Sequence, residues 1–167
     1  MDYILRPWKL SDAESIVPLA NNKKIAGNLR NTFPYPYTLD DAHIFITKSI
    51  QLNKRKQLNQ AVVVDDSAVG SISLLSQDDV SCRSGELGFW LGEPYWGKGI
   101  MVSAIEQICD KGFEDFSMLR IYARPFEKNV AARKALEKAG FELEGIFKKS
   151  IFKNGEILDS CMYAKTV

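Results

Sequence analysis

Residues 85–101 run Gly-Glu-Leu-Gly-Phe-Trp-Leu-Gly-Glu-Pro-Tyr-Trp-Gly-Lys-Gly-Ile-Met, and no other stretch narrows the possible folds as far. Leu87, Phe89 and Leu91 alternate as in a strand with one buried face. Pro94 marks a turn, and a helical pattern starts directly after Gly97-Lys98-Gly99. Glycines at such a junction let backbone N–H groups come close to an anion, and the new helix adds its own unpaired N–H groups and positive dipole end. The segment is therefore expected to grip a phosphate or pyrophosphate. A lone Gly-x-Gly is common in turns. The strand before it, the helix after it and a second motif about thirty residues further on give it weight.

The rest of the chain supplies a frame for that segment. Tyr3-Ile4-Leu5-Arg6-Pro7 reads as a first strand that stops at its proline, and Ser11-Asp12-Ala13-Glu14 as a capping box opening a helix near residue 12. Pro18 makes that helix short or kinked. The proline- and aromatic-rich stretch from Asn28 to Tyr37 cannot be regular, and Thr38 then caps a second helix carrying Ala42, Phe45, Ile46 and Ile50 on one face. Residues 60–64 and 68–75 flank Asp65-Asp66-Ser67 as a hairpin, and a polar turn, 77–84, leads into the strand 85–92. Met101, Ala104, Ile105 and Ile108 stripe the next helix. A strand at 119–123 and a helix at about 128–139 follow, with Gly140 placed as a left-handed residue after the helix end. Strands at about 141–152 and 156–165 close the chain around Lys153-Asn154-Gly155. The order β-α-α-β-β-β-α-β-α-β-β implies one mixed α/β domain over residues 1–167, and a chain of this length can bury a real core.

Composition excludes several classes. A formal net charge of +1 argues against a nucleic-acid protein working through a basic surface. Lys54-Arg55-Lys56 reads as the solvated end of the second helix. No apolar run approaches the ~18 residues a membrane span needs, and Met1-Asp2-Tyr3 does not open a signal peptide. Three cysteines, Cys82, Cys109 and Cys161, are an odd number without metal-site spacing, so no metal is expected and a reduced, cytoplasmic setting is the simplest account.

Two segments read together carry the chemistry: Pro94-Tyr95-Trp96-Gly97-Lys98-Gly99-Ile100-Met101, and Asn129-Val130-Ala131-Ala132 with Leu136 and Gly140-Phe141 beyond it. They resemble the two acyl-CoA motifs of the GNAT N-acetyltransferases, and the element order is similar to that fold along nearly the whole chain. The RimJ/RimL branch is the nearest likeness, through Leu5-Arg6-Pro7 with Asp12-Ala13, through Phe33-Pro34-Tyr35-Pro36-Tyr37 before Asp40-Asp41-Ala42, and through Tyr95-Trp96-Gly97-Lys98-Gly99. The resemblance implies a GNAT fold of the α/β (α+β) class: a twisted, mixed but mostly antiparallel sheet of about seven strands flanked by about four helices. It implies acetyl-CoA as co-substrate and an amine acceptor, a protein N-terminal α-amine of the ribosomal-protein-alanine type or a small amine. A homodimer is common among such relatives.

Carried over residue by residue, the backbone of Trp96, Gly97, Lys98, Gly99, Ile100, Met101 and Val102 would wrap the pyrophosphate. Phe89, Trp90 and Leu91 would offer a strand edge to the pantetheine arm. Asn129 would bond the pantetheine or adenosine end. Lys98, Arg133 and Lys134 are partners for the phosphates or else solvated surface charges. Phe33, Tyr35, Tyr37 and Trp90 would wall the acceptor pocket, unless they are loop packing. The chain departs from the family pattern where relatives carry an acid for the leaving thiolate: a frequent Tyr is Leu136, and a Ser of some RimL-like enzymes is Ala132. Glu86, at the start of the strand, is the candidate base, or a surface charge; Tyr122 is the candidate acid, or a pocket wall.

Direct transfer needs a neutral amine and a stabilised oxyanion. With a reference pKa of about 7.7–8.0, roughly a quarter of a protein α-amine is neutral near pH ~7.4, against about 0.1% of a lysine amine. Low-pKa amines are thus the expected acceptors. The CoA thiol, with a pKa of about 8.5 like cysteine, can leave without a strong acid. A silent GNAT module that binds acyl-CoA as a sensor is the competing reading. A nucleotide-binding fold is excluded by the lack of Gly-x-x-x-x-Gly-Lys-[Ser/Thr] and of Gly-x-Gly-x-x-Gly.

Overall fold

A computed structural model describes residues 1–52 and 57–167, so the Lys54-Arg55-Lys56 cluster lies outside the described residues. Their strands are β1 (Ile4–Pro7), β2 (Gln57–Val64), β3 (Ser67–Ser76), β4 (Ser84–Leu91), β5 (Arg120–Ala123), β6 (Glu142–Lys153) and β7 (Glu156–Thr166). The helices are α1 (Ala13–Ala20), α2 (Lys23–Ala26), α3 (Leu39–Leu52), α4 (Ile100–Glu114) and α5 (Val130–Lys138). All seven strands join one sheet in the order β1-β2-β3-β4-β5-β7-β6, and only the β4–β5 pair is parallel. The expected GNAT-type α/β architecture is borne out. The single turn α2 is the extra helix, too short to show a period in sequence, and Asn22 caps it by accepting from the Lys24 N–H at 2.9 Å.

Local chemistry explains most boundaries. Thr38 Oγ1 accepts from the Asp41 N–H while the Asp41 carboxylate accepts from the Thr38 N–H, so α3 starts with both groups satisfied. The start of α1 differs from expectation. Ser11 and Glu14 do not form the box; instead Asp12 accepts from the Lys9 N–H at 2.9 Å and from Arg6 at 2.7 and 2.8 Å. Arg6 on β1 outcompetes a local cap because it adds a charge-assisted, two-pronged bond. Both tight hairpins have two-residue loops, with Asp65 and Asp66 at φ 47° and 62° and Asn154 and Gly155 at 51° and 78°. Positive φ at both positions gives the turn that matches strand twist. Ser67 therefore already belongs to β3. After α5, the Phe141 N–H donates to Leu136 O and the Gly140 N–H to Glu137 O, with Gly140 at φ 88°.

The sheet has a core on each face. Leu74, Leu87, Leu91, Ile105, Ile108 and Leu136 pack under α4 and α5, while Trp8, Ile16, Ile46, Val63 and Trp90 pack under α1 and α3. What positions the site is a split in the middle of the sheet. Pairing of β4 with β5 covers only Ser84–Glu86 against Arg120–Tyr122. Beyond that, β4 follows β3 as far as Leu91, and β5 follows β7. Beyond Glu86 and Tyr122 the two strands are no longer paired, and a slot opens between them. No helix among the described residues is long and apolar enough to cross a membrane.

Candidate active site

The slot leaves one edge of β4 unpaired. The Gly92 N–H donates to Val69 O, and Gly88 O accepts from Ser73 Oγ, so residues 88, 90 and 92 turn their peptide groups toward β3. Alternation then turns those of Phe89 and Leu91 toward the slot. Trp90, expected beside them on the edge, has its peptide groups on the β3 side. The Trp96 indole N–H donates to Leu91 O at 2.7 Å and closes the end of the edge.

Beyond this edge the chain makes the glycine turn. Gly97 and Gly99 adopt φ 72° and 77°, and a Cβ at either would meet nothing within 4 Å. Both are therefore selected for backbone conformation rather than for space. Gly99 is the N-cap of α4 and supplies no side chain, and the first turn holds no acidic residue. The first helical bond there runs from the Ser103 N–H to Gly99 O. The N–H groups of Ile100, Met101 and Val102 are left facing out at the positive end of a fifteen-residue helix. The start of α3, by contrast, is capped by Thr38 and carries Asp40 and Asp41 in its first turn. Ile100 itself is buried in the core, so only its backbone can serve.

On the opposite face, beneath α1 and α3, Glu86 lies at the mouth of the slot. Its carboxylate accepts from Arg30 at 2.7 Å, from Arg124 at 3.0 Å and from the Tyr122 hydroxyl at 3.4 Å. Glu86 and Tyr122 are register partners on β4 and β5. Burial, and next the Glu86 charge, raise the Tyr122 hydroxyl above its ordinary value. Arg124 was legible in principle, since it sits two residues after Tyr122 and shares its face. Arg30 comes from the irregular 28–37 stretch, where no period reveals which side chains point inward.

The aromatic residues divide. Phe33 packs on Trp90 with ring centroids 5.5 Å apart and on Tyr37 at 5.1 Å. Tyr37 is almost wholly buried against Phe33, and burial, with the Asp41 charge second, pushes its hydroxyl up to about 12. Tyr35 lies at the surface, its ring under the Lys23 ammonium at 5.7 Å.

Of the second motif, Asn129 caps α5, its Oδ1 accepting from the Ala132 N–H at 3.3 Å. Arg133 donates to the Tyr163 hydroxyl at 3.0 Å and to Glu127 O at 3.1 Å. Lys98 and Lys134 are exposed. Leu136 is fully buried in the core.

Residues 2–142 match the family model described as an acetyltransferase (GNAT) domain. The chain is 34% identical to YjcK of Bacillus subtilis, a probable N-acetyltransferase, over 90% of this chain and 86% of the relative. This chain belongs to the GNAT acetyltransferase family. Among solved structures, the Microcin C7 self immunity acetyltransferase MccE, in complex with acetyl-CoA and AMP, superimposes with a TM-score of 0.86 at 25% identity, over 99% of this chain and 93% of that one. The ribosomal L7/L12 alpha-N-protein acetyltransferase RimL, in complex with coenzyme A, shares the fold with a TM-score of 0.88 at 20% identity, over 99% and 94%. The protein is thus a GNAT N-acetyltransferase that uses acetyl-CoA as acyl donor.

In this acetyltransferase the two buried cysteines are poor nucleophiles. Burial pushes Cys109 up to about 12 and also raises Cys161, and Cys82 is exposed on the turn before β4. A covalent acetyl-cysteine route would need a thiolate that neither buried thiol supplies near neutral pH.

Proposed function

We propose that this acetyltransferase transfers the acetyl group by direct attack of a low-pKa primary amine, a peptide N-terminal α-amine or a small amine, with the two substrates meeting through the β4–β5 slot. The observation that carries this reading is the arrangement of opposite faces. The uncapped start of α4 and the open edge at Phe89 and Leu91 belong to the donor side, and Glu86 stands at the far mouth of the same slot. MccE, the solved relative with acetyl-CoA bound, supports the donor assignment.

Trp96 through Val102 would hold the pyrophosphate by backbone N–H groups, with Lys98 and Lys134 adding charge from the surface. Phe89 and Leu91 would bond pantetheine as an added strand, and Asn129 would bound the same arm from α5. The thioester carbonyl then lies at the slot, and the attacking amine arrives from the side of Phe33, Trp90 and Glu86. Glu86 accepts the amine proton, directly or through one water. The leaving thiol needs no strong acid; Tyr122, bonded to Glu86, tracks the protonation of that carboxylate and is not the primary donor.

Release of free CoA thiol, followed with acetyl-CoA and panels of N-terminal peptides, amino acids, polyamines and aminoglycosides, tests the reading. Release is expected with α-amines. Equal turnover of internal-lysine peptides with blocked N-termini would overturn the acceptor preference. Tight acetyl-CoA binding without release for any amine would favour a silent sensor.

A further inference from the structure

Beside the acceptor mouth the structure holds a cavity of about 650 Å³ that the reaction scheme does not use. It lies between the 28–37 loop and the tip of the β6–β7 hairpin, lined by Lys23, Asn31, Phe33, Pro34, Tyr35 and Lys153 among others. It adjoins the reaction side. Phe33 belongs both to the cavity wall and to the aromatic contact with Trp90, and Arg30, which bonds Glu86, is the chain neighbour of Asn31, which bonds Lys153.

Lys153 is the unusual member. It is only 7% exposed, at the last position of β6, and its ammonium donates to Asn31 Oδ1 at 3.1 Å. No ion pair among the described residues includes Lys153, Lys23 or Lys128, whereas Lys24, adjacent to Lys23, is paired with Glu93. No Asp or Glu lines the cavity. A buried ammonium has three donors, and one neutral amide is a poor substitute for a counter-charge. Burial, and next the nearby Lys128 charge, hold Lys153 below its ordinary value.

We propose that this cavity is an oxyanion subsite of the acceptor, with Lys153 as its central cation and Asn31 as its positioning partner, so that the preferred amine carries a carboxylate or phosphate away from the reacting nitrogen. The inference rests on the slot reading for where the amine sits. An anion there completes the coordination of a cation held partly out of bulk solvent, where a charge-assisted bond contributes more than at a fully exposed site. Polyamines, themselves cations, meet a like charge there and are disfavoured.

The test uses three tripeptides with free N-termini and amidated C-termini: Ala-Ala-Glu, Ala-Ala-phosphoserine and Ala-Ala-Gln. CoA release and calorimetric binding in the presence of CoA are measured with the wild type, Lys153→Met and Lys153→Arg. One charge-assisted bond predicts at least about a tenfold preference for an acidic peptide over Ala-Ala-Gln, falling to about twofold or less in Lys153→Met and retained in Lys153→Arg. The two acidic peptides separate carboxylate from phosphate as the favoured group. Absence of a preference in the wild type, or its survival in Lys153→Met, overturns the subsite. The binding measurement decides this even without turnover. Acid-selective binding with no CoA release from any peptide would sink the acceptor reading and leave the subsite standing.

Discussion

At the scale of single residues, the proposed role of Glu86 in taking the amine proton can be tested directly. Its carboxylate is oriented by Arg30, Arg124 and Tyr122, so the side chain is fixed before substrate arrives. Glu86→Gln keeps the shape and removes the proton acceptor. It is expected to lower kcat by about 10²–10⁴-fold, with a much smaller effect on KM. The deficit should shrink as pH rises through about 8, because an α-amine then deprotonates without help. A pH profile of kcat for both enzymes checks this; a pH-independent deficit would mean that Glu86 only holds the two arginines. The same scale shows what sequence hides. Spacing put Glu86 and Tyr122 on the list, and Arg124 shares their period, but Arg30 and Lys153 acquire a role only through chain segments that are distant in sequence.

At the scale of elements, the order strand–turn–helix from β4 to α4 was legible because its signals are local. Two glycines, a proline and an apolar stripe each act within a few residues. Gly99→Ala isolates the backbone contribution, since no side chain crowds the new methyl group. Holding alanine in the left-handed region costs about 1–2 kcal/mol. The variant should therefore lose a few degrees in Tm, and acetyl-CoA affinity, read by calorimetry, should fall by roughly tenfold if the loop relaxes. Gly145→Ala on the edge strand β6, also free of crowding and without positive φ, should change neither. By contrast, the cap of α1 was misread. Local rules favoured Ser11 and Glu14, and a guanidinium from β1 won through charge.

At the scale of the whole molecule, the Arg6–Asp12 pair joins the edge strand β1 to the start of α1. Burial alone would raise the Asp12 carboxyl, but the bonds from Arg6 and from the Lys9 N–H outweigh it and hold the group below its ordinary value of 3.8. A carboxyl depressed on folding stabilises the native state above its unfolded pKa, and that contribution disappears as pH falls through the folded value. Asp12→Asn should thus cost about 1–3 kcal/mol near neutral pH, and its stability should converge with the wild type as the pH drops below about 4. Urea denaturation at a series of pH values reads both limits. A constant difference down to strongly acid pH would assign the loss to packing instead. Charge also changes meaning at this scale. A net charge of +1 argues against a broad basic surface, yet the fold brings Lys23, Lys128 and Lys153 to one side, none of them in an ion pair among the described residues.

The sequence by itself determined the α/β order, the place of the Asn-Gly hairpin, the glycine turn before α4 and the family resemblance, since all of these depend on residues close in the chain or on conformations that few residue types can adopt. Only the tertiary structure decided where β4 and β5 part, which peptide groups face the slot, and which cations are left without a counter-charge. Those outcomes depend on strand pairing and on side chains brought together across the sheet. Hydrogen-bond register and desolvation set them, and neither leaves a local pattern to read.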